Sequence, residues 1–304
     1  MRQKRDITGI ILTVSSAICF GALSLFVTLL SREGVGAWIQ VGARLVASTV
    51  IFLVILLLFA PGALRIVTRR QFLLLLANGA VLLVAFTTFV LAIFLGTPAA
   101  KVVLIIYTYP IFVVLAASKI LGEKITRKQR LAVLVGILGA AVVMKFWDVQ
   151  GLLRPQPGDL VAIGNTVVYG ALILLTRRCT SQEQIHPLAL NFWSVIFALM
   201  WLVPGVIGVL AWQGTGGPLL TLPDDVGTGT LLNLLGLVVL GTVVPYGLMN
   251  AGLQRTEAGT ASVLMLAEPV SVLAISAVFL HQPIDLWNIV GGAIILIAGF
   301  LAAR

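Results

Sequence analysis

The sequence predicts an all-α membrane protein: ten transmembrane helices arranged as two inverted five-helix repeats. Three observations carry this. The 304 residues are 60% hydrophobic and only 10% charged, whereas a soluble domain carries about 25% charged residues. The apolar residues fall into ten runs, most of them long enough for a bilayer core that needs roughly 20 helical residues. One proline-bearing stretch is written twice, once in each half of the chain.

The spans are expected at 8–30, 36–59, 70–95, 99–121, 128–147, 157–177, 187–211, 228–252, 258–280 and 285–303. Helices are required because lipid offers the backbone no hydrogen-bond partners. Turn-forming residues mark the breaks: Ser31 to Gly34, Ala60-Pro-Gly62, Arg154-Pro-Gln-Pro-Gly158 and Gly214 to Asp225. The run after the basic N-terminus is longer than a signal h-region of about 7–15 residues and is expected to be the first span. Cys19 and Cys179 are placed for reduced thiols rather than a disulfide. Mean hydropathy is +1.10, and ten spans with short loops leave no length for a soluble domain.

The net charge of +9 is a topology signal, not a nucleic-acid footprint. With the N-terminus inside, fifteen Lys and Arg residues fall on the cytoplasmic side, four outside (Arg32, Lys101, Lys145, Arg154), and Arg44 within a span. This bias places both termini in the cytoplasm, with the chain in the inner membrane. Trp38, Trp147, Trp212 and Trp287 fall at the expected outer interface, where indoles anchor.

The repeated stretch is Leu104-Ile-Ile-Tyr107-Thr-Tyr109-Pro110 and Val263-Leu-Met-Leu-Ala-Glu268-Pro269. The register extends back, so that Ala92 to Ala100 lies over Ala251 to Gly259. More weakly, Phe20-Gly21-Ala22 lies over Tyr169-Gly170-Ala171. The halves are residues 1–150 and 156–304, joined by an outer loop from Asp148 to Gly158. Five spans is an odd number, so the second half enters from the opposite side. The loop after the first proline span, Gly122 to Arg130, is strongly basic, and its counterpart His281 to Asp285 has no Lys or Arg. Inverted repeats with proline-broken helices place a solute site near the midplane, between the halves. A transporter with a small-molecule substrate follows, with lipid as its surroundings.

Glu268 lies roughly 15–18 Å from either interface and is an intramembrane ionisable group. It either carries a proton or touches substrate, or it is a structural carboxylate. Arg44 is the natural partner to consider; it is expected rather to anchor the structure, by snorkelling or capping helix ends, or to pair with a carboxylate of substrate or protein. Lys101 is expected to snorkel to the outer headgroups. Polar and aromatic stripes at helical spacing comprise Ser16, Phe20 and Ser24; Asn165 and Tyr169; Thr242, Tyr246 and Asn250; and Asn191 with Ser194. Phe86, Thr87, Tyr107 and Tyr109 add rings and hydroxyls. Such stripes line a cavity or glue helices together. Pro110 and Pro269 are expected to kink their helices and serve as gates, with Pro204 and Pro245 doing likewise. Gly136-x-x-x-Ala140 and Gly291-Gly292-Ala293 are faces for close helix contact, within the chain or in a homodimer.

An enzyme would need clustered acid, base or metal ligands. The two histidines, His186 and His281, lie on opposite sides, and no residue pair has metal-ligand spacing. No cofactor or metal is expected. The other readings are drug or toxic-compound efflux, metabolite uptake by the same fold, and a facilitative channel without ion coupling.

The pattern resembles the EamA-type members of the drug/metabolite transporter superfamily over essentially the whole chain. The carrying residues are Ala92 to Ala100, Tyr109-Pro110 with Leu121-Gly122-Glu123, Arg44, and Ala251 to Ala261 leading to Glu268-Pro269. The resemblance implies ten helices in two inverted halves and transport of small metabolites such as amino acids, usually outward. At the end of span nine His281-Gln-Pro stands where the family has Gly-Glu.

Overall fold

The computed structural model describes residues 6–66, 68–95, 97, 99–149, 153–213, 220–223, 226–279 and 284–303. Among these, the chain forms ten helical spans. Six are single helices: α1 (Ile7–Arg32), α2 (Ala37–Phe59), α3 (Arg69–Phe94), α6 (Arg127–Val143), α8 (Pro187–Gln213) and α13 (Leu286–Ala303). Span six is α7 (Pro157–Arg177) prolonged by a π-helical turn, Arg178–Gln182. The remaining three are broken. Span four is α4 (Ala99–Ile106) and α5 (Tyr109–Ile120); span eight is α9 (Thr228–Val238) and α10 (Val244–Arg255); span nine is α11 (Ala258–Leu264) and α12 (Glu268–Phe279). Eight spans are long and apolar enough to cross a membrane, and α13 is a shorter apolar helix. Span five is shorter than expected because α6 stops at Val143, where the chain enters a run of turns through Asp148.

The prolines break these helices rather than merely kinking them. Tyr107 and Thr108 form a turn, and Pro110 is the second residue of a new helix. Pro269 holds the same place in α12, after a 3₁₀ turn over Met265–Ala267. Pro245 follows a π-helical turn at Val239–Val243. The first turn of a helix does not use its N–H groups, so proline is tolerated there and not one turn later. Pro204 stays inside a continuous α8.

Polar bonds between helix ends set the orientations. On one face Arg255 at the end of span eight meets Asp6 before span one. There also Arg177, ending α7, meets Glu123 after span four, and Gln129 in α6 donates to Glu257 before span nine. On the other face Asn233 near the start of span eight donates to Glu33 after span one. Lys101 at the start of span four meets Asp159 at the start of span six. Span one therefore begins on the face where span six ends, and the halves are inverted.

The packing repeats with the sequence. A methyl at Gly9 would lie 2.8 Å from the Arg255 Cβ and closer still to the Thr256 hydroxyl; one at Gly158 would lie 2.6 Å from the Thr97 hydroxyl, the equivalent pair in the other half. Gly21 faces Ser271 as Gly170 faces Phe112. Without a hydrophobic force between helices in lipid, such close approach of small residues drives their association. The Gly136 and Gly291 faces are used in the same way within the chain. A methyl at Gly139 would lie 2.9 Å from the Ile295 backbone nitrogen, and one at Gly291 would lie 2.8 Å from the Gly139 carbonyl oxygen. This ridge joins spans five and ten.

One apolar core runs through both halves, including Phe20, Leu45, Leu82, Tyr109, Leu172, Phe192, Tyr246 and Met249. Leu58, Leu115, Leu138, Leu232 and Phe300 point outward, as side chains facing lipid do. Trp147 and Trp287 meet edge to face at 5.0 Å. The Trp212 side chain and the His281-Gln-Pro turn lie outside the described residues. Cys19 and Cys179 are both free thiols.

Candidate functional site

Where the halves meet, α2, α3, α7, α8 and span eight enclose a narrow cavity of about 20 Å³. Leu45, Leu82, Phe86, Leu172, Tyr246 and Met249 supply its apolar wall. Asn78, Thr176, Asn191, Ser194, Thr242 and Asn250 supply the polar one. Its volume holds roughly one water, since a water needs about 10–15 Å³ by this measure. Thr176 adjoins the end of α7 and Asn250 lies near the end of α10. The cavity thus runs from the breaks near mid-membrane toward the face that carries the basic loops.

The π-helical turn of span eight explains Arg44. One extra residue in the turn disturbs the carbonyl ladder. Thr242 Oγ1 donates to the Leu237 carbonyl at 3.0 Å. Arg44 Nε donates to Thr242 Oγ1 at 2.9 Å, and its Nη2 reaches the Gly241 carbonyl at 3.4 Å. The guanidinium also lies over the Phe86 ring, 4.3 Å from its centroid, a cation–π contact. Arg44 does not pair with Glu268. Arg44 is buried and committed to span eight, while Glu268 opens α12 in span nine. Among the described residues the Glu268 carboxylate forms no hydrogen bond or ion pair.

The aromatic residues form two groups. Phe20 and Tyr246 meet edge to face at 5.0 Å, with Phe86 6.1 Å from Tyr246. Tyr109 and Tyr169 meet at 5.1 Å, and the Tyr109 hydroxyl donates to the Ser262 carbonyl at 3.1 Å, linking spans four and nine. Tyr107 packs instead with Ala140, Leu266 and Ile295, on the side of spans five and ten. Thr87 is half-buried and does not line the cavity.

Two stripe residues turn out to be ties between helices. Ser16 Oγ donates to the Pro245 carbonyl at 2.7 Å. Asn165, its counterpart in the second half, donates to the Ala85 carbonyl at 2.6 Å and to Thr88 Oγ1 at 2.7 Å. The side chain of Ser24 lies outside the described residues. Lys101 also departs from expectation. It does not snorkel but is buried, donating to Asp159 at 2.6 Å and to the Arg154 carbonyl at 3.0 Å. Asp159 sits within reach and also accepts from Thr97 and the Gln156 N–H, which makes burying the ammonium tolerable.

Beyond the cavity toward the basic face lies a four-element clamp. Arg177 Nε meets Glu123 at 2.9 Å, and its Nη1 donates to the Leu253 and Gln254 carbonyls at 2.8 and 2.9 Å. Glu123 accepts the Ala258 N–H at 3.0 Å, at the start of α11. Desolvation raises the Glu123 carboxyl above the usual carboxylate range, against the opposing pull of Arg177.

The inverted halves with their broken spans have counterparts among known proteins. The EamA-like transporter family model matches residues 7–145 and again 156–304. The chain belongs to the EamA-like transporter family. A probable amino-acid metabolite efflux pump of Salmonella typhimurium is 26% identical over 248 residues, covering 80% of this chain and 81% of that protein. The similarly described pump of Escherichia coli is 24% identical over 244 residues, covering 79% and 80%. A crystal structure aligns with a TM-score of 0.78 over 97% of this chain and 96% of its own, at 16% identity, which shows the shared fold.

Within this EamA-like architecture, sequence reasoning missed Asn78 and Thr176. Asn78 accepts from Ser194 at 2.9 Å and donates to Thr176 at 3.2 Å. The available signal for Asn78 was an amide within the leucine-rich run of span three. The Arg177–Glu123 clamp was missed as well, because Arg177 was counted only as a loop charge and Glu123 only as part of a motif, 54 positions apart.

Proposed function

We propose that this EamA-like chain is a secondary transporter exporting amino acids and similar small amphipathic metabolites across the inner membrane by alternating access. The observation that carries the reading is a cavity of neutral amides, hydroxyls and aromatic rings, lined from both inverted halves. Its narrowness supports alternating access over an open pore, since a metabolite enters only if the halves move apart. The names of the Salmonella and E. coli relatives support the solute class and the direction. The excess of Lys and Arg on one face supports cytoplasmic termini.

Glu268 is the proposed proton carrier. It opens a helix at a break between the halves and has no ion-pair partner among the described residues. Breaks of this kind line transporter sites in inverted-repeat folds.

Counterflow in proteoliposomes against an amino-acid panel, with and without a pH gradient, tests the reading. Saturable exchange is the expected result; flux without saturation or exchange indicates a channel and overturns it. Glu268→Gln should abolish the response to the pH gradient. An unchanged response removes proton coupling from this residue.

A further inference from the structure

The hydrogen bonds along one wall of the cavity run in a fixed direction. The Pro187 carbonyl can only accept, and it takes the Asn191 amide N–H at 3.0 Å. Asn191 therefore turns its Oδ1 toward Asn250, whose Nδ2 donates to it at 2.7 Å. This holds Asn250 with its own Oδ1 as a buried acceptor that no protein donor meets; the residue is 4% exposed and lines the cavity. Two neighbouring donors are engaged elsewhere: Ser194 Oγ on Asn78 Oδ1, and Asn78 Nδ2 on Thr176 Oγ1. A buried acceptor left without a donor is destabilising, so the position calls for a donor from whatever occupies the cavity, a water at rest or a solute in transit.

We infer that Asn250 Oδ1 receives a hydrogen-bond donor on the side chain of the transported solute, a hydroxyl or amide, and thereby sets specificity. The inference rests on the transport reading above and adds a chemical requirement to it. A solute with a donor at this point completes the chain from Pro187; an apolar isostere leaves the carbonyl unpaired. Sites built to hydrogen-bond a substrate group discriminate against analogues lacking it more sharply than apolar pockets discriminate by size.

Threonine and valine are the test pair, being nearly isosteric and differing by a hydroxyl. In proteoliposome counterflow the wild-type chain should favour threonine by roughly tenfold, the ratio that corresponds to one such bond. Asn250→Leu should bring the ratio to about one. Asn250→Asp, which keeps an acceptor, should hold the ratio at or above the wild-type value. A ratio unchanged in Asn250→Leu, or near one in the wild type, overturns the inference and leaves transport standing. If Asn250→Leu carries neither solute, Asn250→Asp decides: a ratio near one overturns. Absence of counterflow with both solutes in the wild type overturns the transport reading, and this inference with it.

Discussion

Arg177 and Glu123 meet at 2.9 Å with side chains only 6% and 12% exposed, and through them four elements from both halves are joined. Removing one partner of a buried ion pair leaves an uncompensated charge and costs about 3–5 kcal/mol. Arg177→Ala should therefore lower the melting temperature sharply in detergent. Glu123→Gln keeps one acceptor but leaves the Arg177 charge without its counter-ion, so it too should cost about 3–5 kcal/mol. A melting temperature unchanged in Arg177→Ala would show that the clamp holds nothing together.

The same pair carries a pH signature. Burial raises the folded carboxyl of Glu123, so the folded chain binds that proton more readily than the unfolded one. Its contribution is fully present below the unfolded value of about 4.3 and is lost as pH rises through the higher folded value. Stability of the wild type should fall over that window. In Glu123→Gln the slope should flatten, as denaturation at several pH values would register.

Gly158 and Gly164 stand on one helix and should respond oppositely to alanine. A methyl at Gly158 meets the Ala92 carbonyl and the Thr97 hydroxyl, while at Gly164 nothing lies within 4 Å. Gly158→Ala should destabilise by about 1–3 kcal/mol through overpacking. Gly164→Ala should be neutral or stabilising by roughly 0.5–1 kcal/mol, since glycine weakens a helix interior. Thermal melts of the two variants side by side make the comparison.

Arg44→Lys should impair transport although charge is conserved. The guanidinium reaches Thr242 and Gly241 at once and lies over Phe86; an ammonium cannot reproduce that planar fork. A fall in maximal flux of tenfold or more is expected in counterflow. Wild-type kinetics in Arg44→Lys would reduce the residue to a local charge.

Lys101 and Asp159 should show strong coupling. Lys101→Met alone removes the cation that faces Asp159, and Asp159→Asn alone leaves a buried ammonium. The double variant should recover part of either loss, because a buried pair replaced as a unit is often close to neutral. A double-mutant cycle on melting temperature measures it; simple additivity would contradict the coupling.

The spans were legible because lipid demands continuous apolar helices and tolerates few charges. The breaks were legible as well, since Pro110 and Pro269 recur in register. What the breaks look like was not: a proline signals a missing N–H, while the turn at Tyr107–Thr108 and the 3₁₀ turn at Met265–Ala267 depend on neighbouring helices. Lys101 was misread because its partner Asp159 lies 58 positions away. The cavity was legible in part. Tyr246 and Asn250 line it, but Ser16 and Asn165, drawn from stripes of the same kind, turn to backbone carbonyls. An amide in an apolar run reads identically whether it faces a solute or a neighbouring helix.

The ridge between α6 and α13 has an evolutionary corollary. Its tight fit rests on Gly139 and Gly291, and neither helix contributes to the cavity wall. On the proposed transport reading, cargo preference and assembly fall to separate helices. A lineage could retune what it carries by altering spans two, three, six, seven and eight, while this seam stays fixed as scaffolding.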